Sequence, residues 1–257
     1  PAKKLVFSAL KNKKHVVTAN KALIAKYGNQ LSKIAEDNKV NLEFEASVCG
    51  GVPIIRSLKE GLIANKITKI YGIFNGTSNY ILSSMDKENK DFDEVLSNAK
   101  KLGYAESNPS ADLNGDDVSS KLKILSSLCF NSFLNNKIYV EGIKDIDKTD
   151  IAVANSLGYK IKLLGFAESL NNKIYQRVHP TLIKKNSYVA SIDGVLNAVI
   201  INGKPVGQSI IQGEGAGPAA TTSALVSDIS SIMRGNIKFP FSLSNKERKK
   251  LKFKDIK

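Results

Sequence analysis

The residues best suited to chemistry lie in one polar stretch, AKKLGYAESNPSADLNGDDVSSK at 99–121. Glu106, Asp112 and Asp117 follow one another closely there, and Lys121 comes four positions after Asp117. Residues four apart share one face of a helix, so Asp117 and Lys121 are expected to point the same way. A lysine held beside a carboxylate and apolar surface has its protonation tuned, as an acid–base catalyst requires. The stretch therefore favours an acid–base site, and the alternative is a surface ion pair on an acidic loop.

The chain before this stretch alternates between helical and strand patterns. Its first elements read as helix, strand, helix and strand, over 1–14, His15–Ala19, Ala22–Ala35 and Leu42–Ala46. This alternation is typical of an open parallel α/β sheet. Such a sheet holds a dinucleotide with a G-x-G-x-x-G turn, and none stands upstream. We therefore expect about a hundred residues of a dinucleotide unit to precede Pro1.

The remaining elements are predicted from the same periodicities. Helices are expected from Pro53, near Tyr80–Asp86, over Phe92–Leu102, through Lys121 to about Phe130, and over Thr221–Arg234. Strands are expected at Ile67–Phe74, Lys137–Val140, Ile161–Phe166, Ile174–His179 and Ala198–Ile201. The last three strands are short and alternate apolar with polar residues, which is typical of a sheet partly exposed on one face.

The positive charge of the chain is strong but unspecific. Its 38 basic and 24 acidic residues give a formal net charge of +14, yet the arginines are only Arg56, Arg177, Arg234 and Arg248. Arginine reads phosphates and base edges with its planar fork, so a lysine excess spread along the chain predicts no nucleic-acid partner. The tail KERKKLKFKDIK at 246–257 is expected to be solvated and frayed.

Cysteine usage and hydropathy indicate the cellular compartment of the protein. Cys49 and Cys129 lie far apart in segments that read as core, which predicts reduced thiols, and the isolated His15 and His179 offer no zinc site. No apolar run approaches the ~20 residues that a bilayer crossing requires. We therefore expect a cytoplasmic protein that has no membrane partner.

The polar stretch also carries a family signature. The pattern A-x(3)-G-Y-x-E-x-x-P-x-x-D-L-x-G-x-D-x(3)-K runs unbroken from Ala99 to Lys121 and resembles that of the homoserine dehydrogenases. Four further segments resemble blocks of the family and occur in the family's order. They are HVVTANKALIAKYG (15–28), FEASVCGGVPIIRSLKEGL (44–62), GIFNGTSNYIL (72–82) and GEGAGPAATTSALVSDI (213–229). The likeness extends from Pro1 to about Arg234.

The resemblance implies roles in substrate binding and proton transfer. Lys121 is similar to the acid–base residue of the family, which exchanges a proton with the substrate hydroxyl. Glu106 and Asp117 are similar to the carboxylates that hold the substrate ammonium group, since a buried cation needs paired anions. The residues implied to border the same pocket are Tyr104, Asp112, Gly76 and Thr77.

The resemblance further implies NADP or NAD as cofactor and a site for Na⁺ or K⁺. The residues implied near the cofactor are Thr18, Asn20, Lys21, Gly213, Gly215 and Gly217, of which the glycines open the last helix. The implied cation ligands are Glu45 and the carbonyls of Val48, Gly50 and Val52. Hard oxygen ligands suit such an ion, and the alternative is that these glycines serve the turn alone. Because the pyrophosphate turn is missing, these residues by themselves are expected to bind NAD(P) poorly.

The expected fold is α/β, with the remnant of a Rossmann-type parallel sheet and a mixed-sheet α/β domain for substrate binding and dimerisation. Its units are expected to be the end of a dinucleotide domain, a catalytic and dimerisation domain, a glycine-rich loop with a returning helix, and a basic tail, over 1–52, 53–210, 211–235 and 236–257.

The expected activity is the NAD(P)-dependent interconversion of L-homoserine and L-aspartate 4-semialdehyde, a shared step toward threonine, methionine and isoleucine. A homodimer or homotetramer is expected to carry it out. One alternative is a related two-domain dehydrogenase for another semialdehyde, which the spacing of Glu106, Asp117 and Lys121 argues against. The other is a non-catalytic basic scaffold of the same fold, which the intact catalytic residue types argue against.

Overall fold

Two β-sheets of unequal size organise the chain in the computed structural model. The structure describes residues 1–133, 138–171, 173–235, 238–248 and the backbone of 252–253. The smaller sheet pairs β1 (Val16–Val17) with β2 (Leu42–Glu43) in parallel. The larger sheet is mixed. The expected α/β class, with a parallel remnant and a mixed sheet, is confirmed.

Helices alternate with the strands of the small sheet. They are α1 (Ala2–Lys11) and α2 (Lys21–Asp37). Both strands are shorter than predicted, because local hydrogen bonds redirect the chain at their ends. After β1, the Thr18 hydroxyl accepts from Asn20 N at 3.1 Å, and Asn20 caps α2 by accepting from Leu23 N at 2.9 Å. After β2, the chain closes a 3₁₀ turn at Glu45–Ser47.

The large sheet has the strand order β4-β6-β5-β3-β7-β8, and β9 also pairs with β6. Its strands are β3 (Lys66–Ile73), β4 (Tyr139–Val140), β5 (Tyr159–Leu170), β6 (Lys173–Lys184), β7 (Leu196–Lys204), β8 (Gly207–Glu214) and β9 (Lys252–Phe253). β4 and β9 run parallel to β6, and the other neighbours are antiparallel. Lys137, predicted to begin β4, lies outside the described residues.

β5 and β6 form a hairpin that is much longer than predicted. Each strand has 12 residues, so the predicted Ile161–Phe166 and Ile174–His179 are wrong in extent, as is Ala198–Ile201 within the nine residues of β7. In the centre of β5, five successive residues at 161–165 are buried. The apolar–polar alternation that marks a half-exposed strand is therefore lost there.

Helices cover one face of the large sheet. α4 (Gly76–Glu88), α7 (Asp116–Cys129) and α8 (Lys148–Ser156) contact its strands, and α5 (Phe92–Lys101) and α6 (Ser110–Leu113) pack on these helices. The short α3 (Ile54–Arg56) widens into a turn at Ser57–Gly61 before β3. α4 begins before the predicted Tyr80, because the Asn75 side chain accepts from Ser78 N at 2.8 Å and caps the first turn. α6 forms where a loop was predicted. Within the described residues, none of the helices has the length and apolarity to cross a membrane.

The last long helix, α9 (Pro218–Met233), packs against β1 and the 3₁₀ turn that follows β2. Its Asp228 Oδ2 accepts from Glu45 N at 2.9 Å, and Arg56 donates to Ser227 and Asp228 at 2.5 and 3.3 Å. Asp228 is only 2% exposed, so water competes little for these bonds. They join α9 to the segment that leads from the small sheet toward the large sheet.

The segment that leads into the basic C-terminal tail is anchored to the fold. Phe241 is 1% exposed, and its ring lies 5.1 Å from that of Phe44 and 4.6 Å from that of Phe133. Arg248 pairs with Glu36 of α2 at 3.0 Å and lies over the Phe133 ring at 4.7 Å. A count of charges misses this anchoring, because it depends on apolar burial and on cation–π stacking. Within the predicted tail, 246–257, Lys246 and Glu247 are exposed as expected, whereas Arg248 is half-buried and the backbone of 252–253 pairs with β6. For 249–251 and 254–257 the prediction lies outside the described residues.

Phe241→Ala is expected to lower the free energy of unfolding by about 3–5 kcal/mol, because it leaves a buried apolar cavity where the ring packs against Phe44 and Phe133. Phe239→Ala is the matched control, since Phe239 is 49% exposed and its loss is expected to change stability by about 0.5 kcal/mol or less. Urea unfolding of both variants gives the two values. Equal losses would contradict the docking of the tail.

Candidate active site

Lys121 and Asp117 face the same way from α7, as their spacing predicted. Lys121 Nζ donates to Asp117 Oδ2 at 2.8 Å and to the carbonyl of Phe74, directly after β3, at 2.6 Å. Lys121 and Asp117 are 8% and 5% exposed, so the alternative of a surface ion pair is wrong. An ammonium group has three donor positions, and these two contacts with the described residues leave one for another partner.

Asp117 is shared between two lysines. Lys21, which begins α2, pairs with Asp117 Oδ1, whereas Lys121 holds Oδ2. A buried carboxylate thus joins the helix of the small sheet to α7. The Lys21 side chain is 42% exposed and that of Lys121 is 10% exposed. Lys21 is therefore the lysine on the open side of the pair.

The charges in this cluster move the pKa values in opposite directions. Burial alone would raise the pKa of Asp117, but the positive charges of Lys121 and Lys21 outweigh it and hold that pKa well below its ordinary value. Burial alone would lower the pKa of Lys121, and the negative charge of Asp117 more than reverses this. The pKa of Asp112 is raised, chiefly by burial. The site thus holds a protonated lysine at neutral pH.

Asn75 belongs to this cluster, although sequence reasoning did not select it. Its Nδ2 donates to Asp112 Oδ1 at 2.7 Å and to Asp117 Oδ2 at 2.9 Å, and the residue is 5% exposed. Its Oδ1 accepts from Ser78 N. The sequence did hold a signal, because an Asn that precedes a small-residue helix start is a typical N-cap.

The start of α4 is tied to the loop after α5. Thr77 Oγ1 donates to the carbonyl of Tyr104 at 2.6 Å. A Cβ on Gly76 would stand 2.6 Å from the carbonyl oxygen of Val195, so only glycine fits at that position. Gly76, Thr77 and Tyr104 therefore lie together as predicted, and the carboxylate of Glu106 stands exposed in the same loop.

Two glycine-rich segments pack against each other. Gly51 N donates to the carbonyl of Glu214 at 2.9 Å, and a Cβ on Gly50 would stand 3.1 Å from the carbonyl oxygen of Gly215. Gly215 in turn lies flat on the buried Asn197, because a Cβ there would stand 2.1 Å from Asn197 Nδ2. The backbones of these segments approach so closely that a residue with a side chain would not fit there.

Cys49, directly before Gly50, lies within electrostatic reach of Lys121. The residue is buried, and burial raises the pKa of its thiol. The positive charge of Lys121 opposes that rise.

The residues predicted near the cofactor occupy two places. Thr18, Asn20 and Lys21 follow the carboxyl end of β1, which is where open parallel sheets bind their ligands. Gly215 is buried, whereas Gly217 is exposed and enters α9 with a φ of 103°, in the region that favours glycine. Gly213 lies at the end of β8.

The predicted cation site is built around a buried carboxylate. Glu45 is 4% exposed, and its two oxygens accept from the backbone N–H groups of Ile55 and Arg56 at 2.8 and 2.7 Å. Burial raises the pKa of Glu45 to about 7, and these two bonds oppose the rise only in part. The predicted carbonyl ligands all belong to buried residues, namely Val48, Gly50 and Val52.

Family models and known proteins agree on one relationship. Residues 53–230 match the model of homoserine dehydrogenase, and residues 1–45 match that of the homoserine dehydrogenase NAD-binding domain. Homoserine dehydrogenase of Neisseria gonorrhoeae is 48% identical over 234 residues, and that of Synechocystis sp. is 47% identical over 238. The matches cover 91% of this chain and 54% and 55% of those relatives, so the chain spans about half of their length.

Solved structures give the same result. A homoserine dehydrogenase from Thiobacillus denitrificans superposes with a TM-score of 0.93 at 43% identity, over 98% of this chain and 60% of that one. A hyperthermophilic archaeal homoserine dehydrogenase in complex with NADPH superposes with a TM-score of 0.79 at 27% identity, over 93% and 70%. With both family models matched in order and the buried Asp117–Lys121 pair in place, the chain belongs to the homoserine dehydrogenase family.

Proposed function

We propose that the protein interconverts L-homoserine and L-aspartate 4-semialdehyde with NADP or NAD. The observation that carries the proposal is the buried Lys121 amine, which is held between Asp117 and a backbone carbonyl and, among the described residues, keeps one donor position for another partner. Membership in the family supports the same reaction. Free, buried thiols at Cys49 and Cys129 are consistent with an enzyme of the reducing cytoplasm.

Lys121 Nζ is proposed to carry the proton of the reaction. In the reducing direction the protonated amine donates to the aldehyde oxygen, and in the oxidising direction the neutral amine accepts the hydroxyl proton. Asp117 keeps the amine in place and favours its protonated form. When bound, the nicotinamide cofactor supplies or accepts the hydride.

The substrate ammonium is proposed to bind the carboxylates at the open side of the site. Glu106 is exposed in the loop beside Tyr104, so its carboxylate is available to a cation. Asp117 already holds Lys21 on one oxygen and Lys121 on the other. A substrate ammonium therefore shares Asp117 by displacing the more exposed Lys21, and Asp112 stands next to it through Asn75. Gly76 and Thr77 are proposed to border the pocket.

The cofactor is proposed to bind along the carboxyl end of β1 and under the last glycine-rich loop. Thr18, Asn20 and Lys21 are available there because Asn20 and Lys21 retain exposed surface at the end of a parallel strand. The loop residues proposed to border the nicotinamide side are Gly213, Gly215 and Gly217. Their compact backbone and the N-terminus of α9 suit the approach of a polar ring amide.

A Na⁺ or K⁺ ion is proposed to bind Glu45 with the carbonyls of Val48, Gly50 and Val52. The pKa of the buried Glu45 carboxylate is raised, chiefly by burial. The neighbouring groups therefore compensate its negative charge only in part. A monovalent cation would compensate the remainder.

Glu45→Gln is therefore expected to weaken the dependence of thermal stability on K⁺ and Na⁺. In the wild type, adding either salt in place of a bulky organic cation should raise Tm, and in the variant it should not. Glu247→Gln is the control, since that carboxylate lies at the surface. The same rise of Tm in wild type and Glu45→Gln would contradict a cation site at Glu45.

We also propose that two copies associate through the second face of the large sheet. That face carries the partly exposed rings of Tyr71 and Phe166 and the 39%-exposed Ile210, whereas the first face is covered by helices. An exposed apolar patch of this kind is typical of a subunit interface. Light scattering on the whole protein tests the proposal, and a monomeric mass would reject it.

Turnover of L-homoserine beside 4-hydroxybutanoate tests the proposed function. The second compound has the same alcohol but lacks the ammonium group that the carboxylates are proposed to bind. NADP⁺- and NAD⁺-linked oxidation by the whole protein should proceed with L-homoserine and fall by orders of magnitude with 4-hydroxybutanoate. Equal turnover would move the function to a related semialdehyde enzyme. Salt-sensitive binding to DNA without any turnover would favour the scaffold.

A further inference from the structure

Asn75 uses its whole side-chain amide in one network. The two hydrogens of Nδ2 go to Asp112 Oδ1 at 2.7 Å and Asp117 Oδ2 at 2.9 Å, and Oδ1 accepts from Ser78 N at 2.8 Å. A flipped amide would set its oxygen against two carboxylates and its nitrogen against an N–H group. The network therefore fixes the orientation of the amide.

Asp117 Oδ2 is the point where this network meets the lysine. The same oxygen accepts from Asn75 Nδ2 at 2.9 Å and from Lys121 Nζ at 2.8 Å. The Asn75 side chain is itself held in position, because its Oδ1 caps the first turn of α4. The position of the carboxylate thus depends on a residue of another helix.

We propose that Asn75 is a positioning residue of the reaction, which holds the carboxylates of Asp112 and Asp117 in one arrangement and so aims Asp117 at the Lys121 amine. The inference rests on the proposed function for its catalytic meaning. Its physical content, the orientation of two carboxylates by one amide, stands on the distances alone.

The chemistry of the cluster explains why a neutral donor is suited to this place. Asp112 faces Asp117, Lys121 and Lys21, and the negative charge of Asp117 raises its pKa further after burial has done so. Two N–H groups stabilise both ionised carboxylates without adding a charge. A cation at this place would instead compete with Lys121 for Asp117.

Asn75→Ser separates the two tasks of the residue. Serine caps helices well, so α4 keeps its cap, but both N–H bonds to the carboxylates are lost. We expect kcat for L-homoserine oxidation to fall by about 10- to 100-fold, the factor that one hydrogen bond to a charged group is worth, with a smaller change in KM. The acid limb of the pH profile for aldehyde reduction, in which Lys121 acts protonated, should move to higher pH, because losing the donors raises the pKa of Asp112.

Asn75→Asp is the second variant, and it keeps both the cap and the side-chain shape. It places a third carboxylate beside Asp112 and Asp117, so the acid limb should move further than in Asn75→Ser. Asp147→Ala is the control for loss of a helix cap, since Asp147 caps the remote α8. It should lower Tm and leave both kcat and the acid limb unchanged.

Carbon-13 titration of the Asp112 carboxyl group, in the whole protein and both Asn75 variants, measures the effect without turnover. An upward shift in Asn75→Ser that grows in Asn75→Asp supports the inference. An unmoved titration together with an unmoved acid limb would overturn it. A wild type that fails to oxidise L-homoserine while the titration still shifts would reject the proposed function and keep the assignment of Asn75 to the two carboxylates.

Discussion

Lys121→Ala is expected to lower kcat for L-homoserine oxidation by about 10²–10⁴-fold, the usual contribution of a positioned acid–base group. The fold should survive, because Asp117 keeps its pairing with Lys21 after the change. Lys123→Ala is the matched control. It removes a lysine from the same helix at a partly exposed position, and its turnover should stay near that of the wild type.

Adding a small primary amine to the assay gives a second test of the role of Lys121. Methylamine fits the space that the side chain vacates, so it should restore part of the activity of Lys121→Ala in proportion to its concentration. It should have no such effect on the wild type or on Lys123→Ala. Wild-type turnover by Lys121→Ala would show that Lys121 does not carry the proton.

Asp117→Asn is expected to lower the free energy of unfolding by about 3–5 kcal/mol at neutral pH, because it leaves a buried lysine without its negative partner. Turnover should fall as well, since the unpaired Lys121 amine loses both its orientation and the charge that keeps it protonated. Asp116→Asn is the control, because that neighbouring carboxylate is exposed. Urea unfolding across pH measures the loss.

The pH dependence of this loss follows from the two pKa shifts. Asp117 has a lowered pKa, so its contribution is complete above the ordinary 3.8 and fades as the pH falls below it. Lys121 has a raised pKa, so its contribution is complete below the ordinary 10.5 and fades as the pH rises through the raised value. The difference between wild type and Asp117→Asn should therefore be widest between about pH 4 and about pH 10. A difference that grows toward low pH would contradict the pairing.

The Asp117–Lys121 geometry could be predicted from sequence because it is local. Two residues four apart on one helix share a face wherever that helix packs, and the structure places them so. The link from Asn75 to Asp117 spans 42 positions, and that of Lys21 joins α2 to α7. Such contacts depend on how whole elements pack, which periodicity does not determine.

The fold class could also be predicted from the sequence, whereas the ends of the strands could not. Alternating helices and strands predicted the parallel pair, but the ends of β1 and β2 are set by local turns at Thr18 and Glu45–Ser47. Phe241, which precedes the basic tail, meets Phe44 across the fold, and a count of charges could not predict that contact. The roles of the carboxylates came from resemblance, and they stay predictions until substrate binding is measured.

Reduction of L-aspartate 4-semialdehyde tests the central claim most directly. The whole protein is mixed with the aldehyde and NADPH or NADH, and the fall in absorbance of the reduced cofactor is followed. We predict rapid, aldehyde-dependent oxidation of the cofactor with L-homoserine as the product, because the protonated Lys121 is ready to donate to the aldehyde oxygen. A folded wild type that consumes neither cofactor, or that forms another product, would contradict the proposed function.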